Sequence, residues 1–115
     1  MTQPKDTLPQ GTLNMLILRV VALGPLHGYE IARRIRLTSR DVLEVKQGSL
    51  YPALHRLENR GLLAAAWEQS EAGRDTKVYR LTRKGRAQLR AATAGWHRLA
   101  EAVGRILGAP RGAET

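Results

Sequence analysis

The chain has 115 residues, of which 43% are hydrophobic but only 4% aromatic, with no phenylalanine and no cysteine. That length holds one domain with a modest core of Leu, Val, Ile and Ala. The lack of cysteine excludes disulfide staples and thiolate zinc sites, and it fits a reducing cytosol and a cytoplasmic location. A formal net charge of +9 points to a polyanionic partner, either nucleic acid or an anionic membrane surface. No apolar run approaches the roughly 18 residues of a membrane span, and the N-terminus lacks the charged-then-apolar form of a secretory signal.

Residues 1–9 are polar, contain Pro4 and Pro9, and read as a flexible arm. Leu13, Leu16, Ile17, Val20 and Val21 then keep a helical period that Gly24 and Pro25 terminate. A second helix is expected from His27 to about Thr38, with Ile31 and Ile35 as its core stripe and Arg33, Arg34 and Arg36 pointing elsewhere. Residues 39–47 form a polar connection anchored by Val42, Leu43 and Val45. The third helix, 48–60, is the most informative. Leu50, Leu54 and Leu57 share one face, while Tyr51, His55 and Arg56 lie off it. Pro52 is expected in its first turn, where a missing N–H costs little, and Gly61 stops it.

The period then changes. Leu63, Ala65 and Trp67 alternate, as do Val78, Tyr79 and Leu81, around a turn-rich stretch with its tip near Gly73. Thr82 can cap a last helix running to about Leu107. Leu89, Ala92, Trp96, Leu99, Val103 and Ile106 form a heptad seam along it. Such a seam needs cover: a twin helix in a symmetric dimer is the simplest, and folding back on its own domain is the alternative. The expected fold is mainly α with a small β-hairpin, a winged helix-turn-helix. It divides into an arm at 1–9, a DNA-binding domain at 10–82, a dimerisation helix at 83–107 and a disordered tail at 108–115.

Charge is concentrated. Residues 74–90 carry Arg74, Lys77, Arg80, Arg83, Lys84, Arg86 and Arg90 against Asp75 alone, two-thirds of the net charge. A charge run is commonly a solvated face, but this one adjoins a candidate recognition helix. Arg74 and Lys77 are therefore expected to meet phosphates. The basic start of the last helix opposes its dipole and hints at an external anion.

Four stretches carry a resemblance: GTLNMLIL at 11–18, GPLHGYEIA at 24–32, GSLYPALHRLE at 48–58 and GRDTKVYRLTRKG at 73–85. Together, over about residues 8–107, they resemble PadR-family transcriptional regulators of the short subfamily, which end in one dimerisation helix. Asp75 and Thr76 interrupt a wing that is often more basic in that family. The resemblance implies a homodimer on double-stranded DNA, with the third helix in the major groove and the wing on the flanking backbone. The operator would be an inverted repeat and the role repression. Lys46, Gly48, Ser49, Tyr51, Pro52, His55, Arg56, Arg74 and Lys77 are the candidate DNA contacts. Tyr51 either bonds phosphate or caps the core edge, and Arg56 either reads guanine or pairs with a surface acid such as Glu58. Tyr29 and Glu30 are expected to pack between the first helices. The resemblance also implies a flat aromatic effector at Trp96, with Asn14 as a second contact; the alternative is that Trp96 only fills the dimer core. A basic winged helix for RNA or protein is a further alternative, weakened because the aromatics are not arranged as a stacking platform. No cofactor or metal is expected. His27, His55 and His97 lie on separate elements, and no carboxylate pair suggests an enzyme.

Overall fold

A computed structural model describes residues 8–69 and 71–108; most of the expected arm, the expected tail from residue 109, and Ser70 lie outside the described residues. The elements are α1 (Gln10–Ala22), β1 (Leu26–His27), α2 (Gly28–Thr38), α3 (Gln47–Asn59), β2 (Leu63–Gln69), β3 (Asp75–Leu81) and α4 (Arg83–Leu107). Three helices, an antiparallel hairpin and a long final helix make a winged helix-turn-helix with a C-terminal helix.

The core forms where the three amphipathic stripes meet. Ile17 and Leu18 of α1, Ile31 of α2, and Leu50, Ala53, Leu54 and Leu57 of α3 are all buried, joined by Leu62, Leu63 and Tyr79 from the hairpin. Leu43 and Val45 anchor the α2–α3 connection to this core, but Val42 does not; it is 80% exposed at the tip of that turn. The turn is tight, since Asp41 takes a positive φ of 65° while its N–H donates to the Arg36 carbonyl at 2.8 Å.

The sheet has one strand more than expected. β1, only two residues long, pairs antiparallel with β3 through Leu26–Tyr79 and His27–Val78, giving the order β1-β3-β2. β2 and β3 pair from Leu63–Leu81 to Gln69–Asp75, with Gly73 at a φ of +80° in the turn. Pro52 stands in the second turn of α3 rather than the first. Having no N–H, it leaves the Gly48 carbonyl without its intrahelical donor.

Thr82 caps α4 as expected, accepting the Gly85 N–H at 2.9 Å. Leu89 corrects the expected seam. It is buried in its own chain's core at 8% exposure, so the first turns of α4 belong to the domain and the uncovered stretch begins beyond it. Lys84 also has an internal role: its ammonium donates to the Arg60 carbonyl at 2.9 Å, where it complements the C-terminus of α3. An external anion is not needed to explain that lysine. No helix among the described residues is long and apolar enough to cross a membrane.

The attachment of α4 is tight at one point. A Cβ on Gly85 would lie 2.0 Å from the Leu62 carbonyl oxygen, which is backbone and has little room to yield. Gly85→Ala should therefore lower the unfolding free energy by about 1–3 kcal/mol or more, and Thr82→Ala by about 1 kcal/mol. Gly104→Ala, with nothing within 4 Å of the added carbon, should raise it by about 0.5–1 kcal/mol. Urea unfolding of the three variants checks the contrast.

Candidate nucleic-acid interface

α3 is divided cleanly into two sides. Leu50, Ala53, Leu54 and Leu57 are buried, while Gly48, Ser49, Tyr51, Pro52 and His55 are exposed, as is Lys46 just before the helix. No side chain caps the first turn, and it contains no acid. The opening N–H groups and the positive end of the helix dipole thus face outward beside Lys46 and Ser49, an arrangement suited to phosphate.

Arg56 is less open than its expected reading role requires. It is partly buried, and its Nε is fully shielded without a hydrogen-bond partner among the described residues. Its expected alternative partner is also taken, because Glu58 accepts from Lys77 Nζ at 3.0 Å. Lys77 further lies 5.5 Å from the centre of the Tyr79 ring, a cation–π contact. The hydrogen bond to Glu58 lifts the Lys77 ammonium above the ordinary lysine value. Burial pushes the Tyr79 phenol up as well. Lys77 is therefore held within the fold rather than extended as a loose phosphate contact. Arg74 is exposed at the wing turn, and Arg80 is bonded across the hairpin to Glu68 at 3.2 Å.

Between α3, the start of α2 and the base of the wing lies an open cleft of about 410 Å³. Tyr29, Tyr51, Tyr79, Trp67, His27 and His55 all line it. Sequence reading missed this convergence and judged the aromatics too scattered to form a stacking surface; it also set the histidines far apart. The fold brings the rings together in three ways. β1 carries His27 to the sheet edge next to β3. The hairpin register sets Ala65 opposite Tyr79 and Trp67 opposite Lys77 on one face. Gly28 admits Tyr51, since a Cβ there would be 3.0 Å from Tyr51 Cε1. Tyr29 does not pack between the helices as expected. It is 61% exposed, stacked nearly parallel on His27 with ring centres 6.0 Å apart. Glu30 instead pairs along its own helix with Arg33 at 3.0 Å and Arg34 at 3.5 Å. Only the rarity of aromatic residues in the chain could have flagged this cleft from sequence.

On α4, Trp96, Leu99, Val103 and Ile106 are exposed, and Ala92 is partly buried. Asn14 of α1 has a shielded side-chain oxygen with no hydrogen-bond partner among the described residues. His97 is also exposed on α4, and no group of three metal-ligating side chains occurs among the described residues.

The family model described as the transcriptional regulator PadR-like family matches residues 17–91. A transcriptional regulator of Mycobacterium tuberculosis is 38% identical over 80 residues, covering 70% of this chain and 71% of its own. A PadR family transcriptional regulator from Eggerthella lenta, known by crystal structure, is 34% identical with a TM-score of 0.75, over 88% of this chain and 86% of that one. A transcriptional regulator from Clostridium thermocellum shares the fold, with a TM-score of 0.79 at 24% identity, over 86% of this chain and 96% of that one. The chain therefore belongs to the PadR-like family of transcriptional regulators, which are DNA-binding proteins and not enzymes.

Proposed function

We infer that the protein is a dimeric repressor that reads an inverted-repeat operator through α3 and its wing. The observation that carries this is the two-sided character of α3: every leucine is buried while the polar side, from Lys46 to His55, is open in a chain of charge +9. In this reading Lys46, Gly48 and Ser49 hold the phosphate at the helix start, while Tyr51, Pro52 and His55 line the groove-facing side. Arg74 meets the backbone from the wing. Lys77 does so only by exchanging Glu58 for a phosphate oxygen. Arg56 has a supporting place at the edge of this surface.

The second copy is supported by α4. Trp96, Leu99, Val103, Ile106 and Leu107 form an uncovered apolar row beyond Leu89, and burying it against its symmetry mate closes the assembly. Residues 10–82 then act as the DNA-binding unit and 83–107 as the dimerisation helix, although the first turns of α4 are shared with the core. Two recognition helices would stand roughly 34 Å apart, one turn of DNA.

A small-molecule effector is the second reading. It is favoured by the unpartnered oxygen of Asn14 and by the exposed Trp96 ring with small residues, Ala92 and Gly95, beside it on α4. An effector there acts by favouring one dimer geometry over another.

Mobility-shift titration on the DNA upstream of the protein's own gene tests the main reading. If six to ten phosphates are neutralised, affinity falls by about 10³–10⁵ between 50 and 200 mM salt; a flat salt response is the contrary result. Glu58→Gln releases Lys77, so it should tighten operator binding and steepen the log–log salt slope by about 1. Leu99→Glu, at a position 57% exposed in the single chain, should leave the fold intact by circular dichroism and yield monomers in analytical ultracentrifugation. For the effector, planar aromatics should quench Trp96 emission in a Trp67→Phe chain, where Trp96 is the sole remaining tryptophan.

A further inference from the structure

The cleft at the base of the wing has a chemistry unlike the rest of this protein. The chain contains three tyrosines, two tryptophans and three histidines. All the tyrosines, one tryptophan and two histidines line this one space of about 410 Å³, within the size range of small-molecule sites. Tyr29, Tyr51 and Trp67 leave 61%, 43% and 69% of their surface open there. Exposed rings of that size are apolar area awaiting a partner.

Its charge argues against a phosphodiester as the occupant of the interior. Lys77 is the only lysine or arginine lining it, and its ammonium is already engaged by Glu58 at 3.0 Å and by the Tyr79 ring. The remaining lining groups are hydroxyls, imidazoles and an indole.

We propose that the cleft bounded by Tyr29, Tyr51, Trp67 and His27 binds an uncharged planar heteroaromatic molecule of two or three fused rings, and that its occupancy excludes DNA. The rings of Tyr29, Tyr51 and Trp67 bury the faces of the molecule, and a ring nitrogen on its edge accepts from the Tyr29 or Tyr51 hydroxyl. This site lies within one chain and is distinct from the Trp96 surface on α4. Regulation here is direct, because Tyr51 and His55 border the cleft and also belong to the DNA-facing side of α3. That consequence rests on the DNA reading above; the binding itself does not.

Quinoline, uncharged in neutral buffer, is the probe. Isothermal titration is run on the full chain and on Trp67→Ala, Tyr29→Ala and Trp96→Phe. The first two positions are exposed and outside the core, and circular dichroism verifies the fold of each. Quinoline binding should contain a component that is the same in the parent chain and Trp96→Phe and about tenfold weaker in Trp67→Ala and Tyr29→Ala. It should also release operator DNA from the parent chain but not from Trp67→Ala. Three results would overturn the proposal: no binding of quinoline to the parent chain, equal binding to all four chains, or loss confined to Trp96→Phe. Binding of oligothymidylate that depends on Trp67 and Tyr29, with none of quinoline, would assign the cleft to single-stranded nucleic acid instead. If no DNA is bound at all, the calorimetry still decides the ligand site, so the two readings fail separately.

Discussion

The junction at Thr82 ties four elements together. Its hydroxyl donates to the Gly61 carbonyl at 2.7 Å, with the Leu62 carbonyl also in reach at 3.0 Å, and the same oxygen accepts the Gly85 N–H. Thr82 N–H donates to the Leu62 carbonyl as well. Gly61 and Leu62 follow α3 and lead into β2, while Thr82 follows β3 and opens α4. One side chain thus closes the loop between recognition helix, wing and long helix. The close approach of Gly85 to Leu62 exists because no Cβ intervenes. Lys84, bonded to the Arg60 carbonyl, adds a second tie between the end of α3 and the start of α4. The direction in which α4 leaves the core is therefore set by the same residues that hold the end of α3.

The electrostatics divide along the same lines. The chain carries a net charge of +9, but the described residues pair many of their cations. Arg33 and Arg34 share Glu30, Arg36 meets Asp41, Arg80 meets Glu68, and Lys77 meets Glu58. Most of these pairs are solvent-exposed and add little to stability. Their effect is on where the field is strong. At the cleft Glu58 offsets Lys77, while the start of α3, with no side-chain cap and with Lys46 beside it, keeps its positive end open. The base of the wing, by contrast, is lined mainly by neutral donors and rings.

The helices were legible because amphipathic periodicity is a strong local signal: Ile17, Ile31, Leu50, Leu54 and Leu57 all read as core and all are buried. Thr82 was legible as a cap because its chemistry is local too. What was missed is tertiary. A strand of two residues, Leu26 and His27, is too short to alternate, and only β3 alongside makes it a strand. Leu89 shares its spacing with the seam, so period alone cannot separate a core residue from an interface residue. Val42 looked like an anchor between Leu43 and Val45, but the tight turn at Asp41 directs it to solvent. Pro52 was set in the first turn although it is the sixth residue of a helix that starts at Gln47. The candidate DNA contacts on α3 followed from its polar side, whereas the internal pairing of Lys77 depends on a hairpin register that no local pattern encodes.

The aromatic cleft is the clearest case of that limit. His27 and Tyr29 stand just before and inside α2, Tyr51 and His55 on α3, and Trp67 and Tyr79 on opposite strands; in sequence they span more than fifty positions with no common period. Each had a bland local explanation when taken alone. Their convergence comes from three backbone facts: β1 joins β3, Ala65 opposes Tyr79, and Gly28 lets Tyr51 approach. The same pairings also set Tyr79 into the core beside Leu62 and Leu63. The arrangement also leaves the His27 Nδ1 without a hydrogen-bond partner among the described residues and three rings open, both of which carry a cost in free energy. A surface of this kind beside the polar side of α3 is one that tertiary pairing alone creates, and no local pattern in the chain announces it.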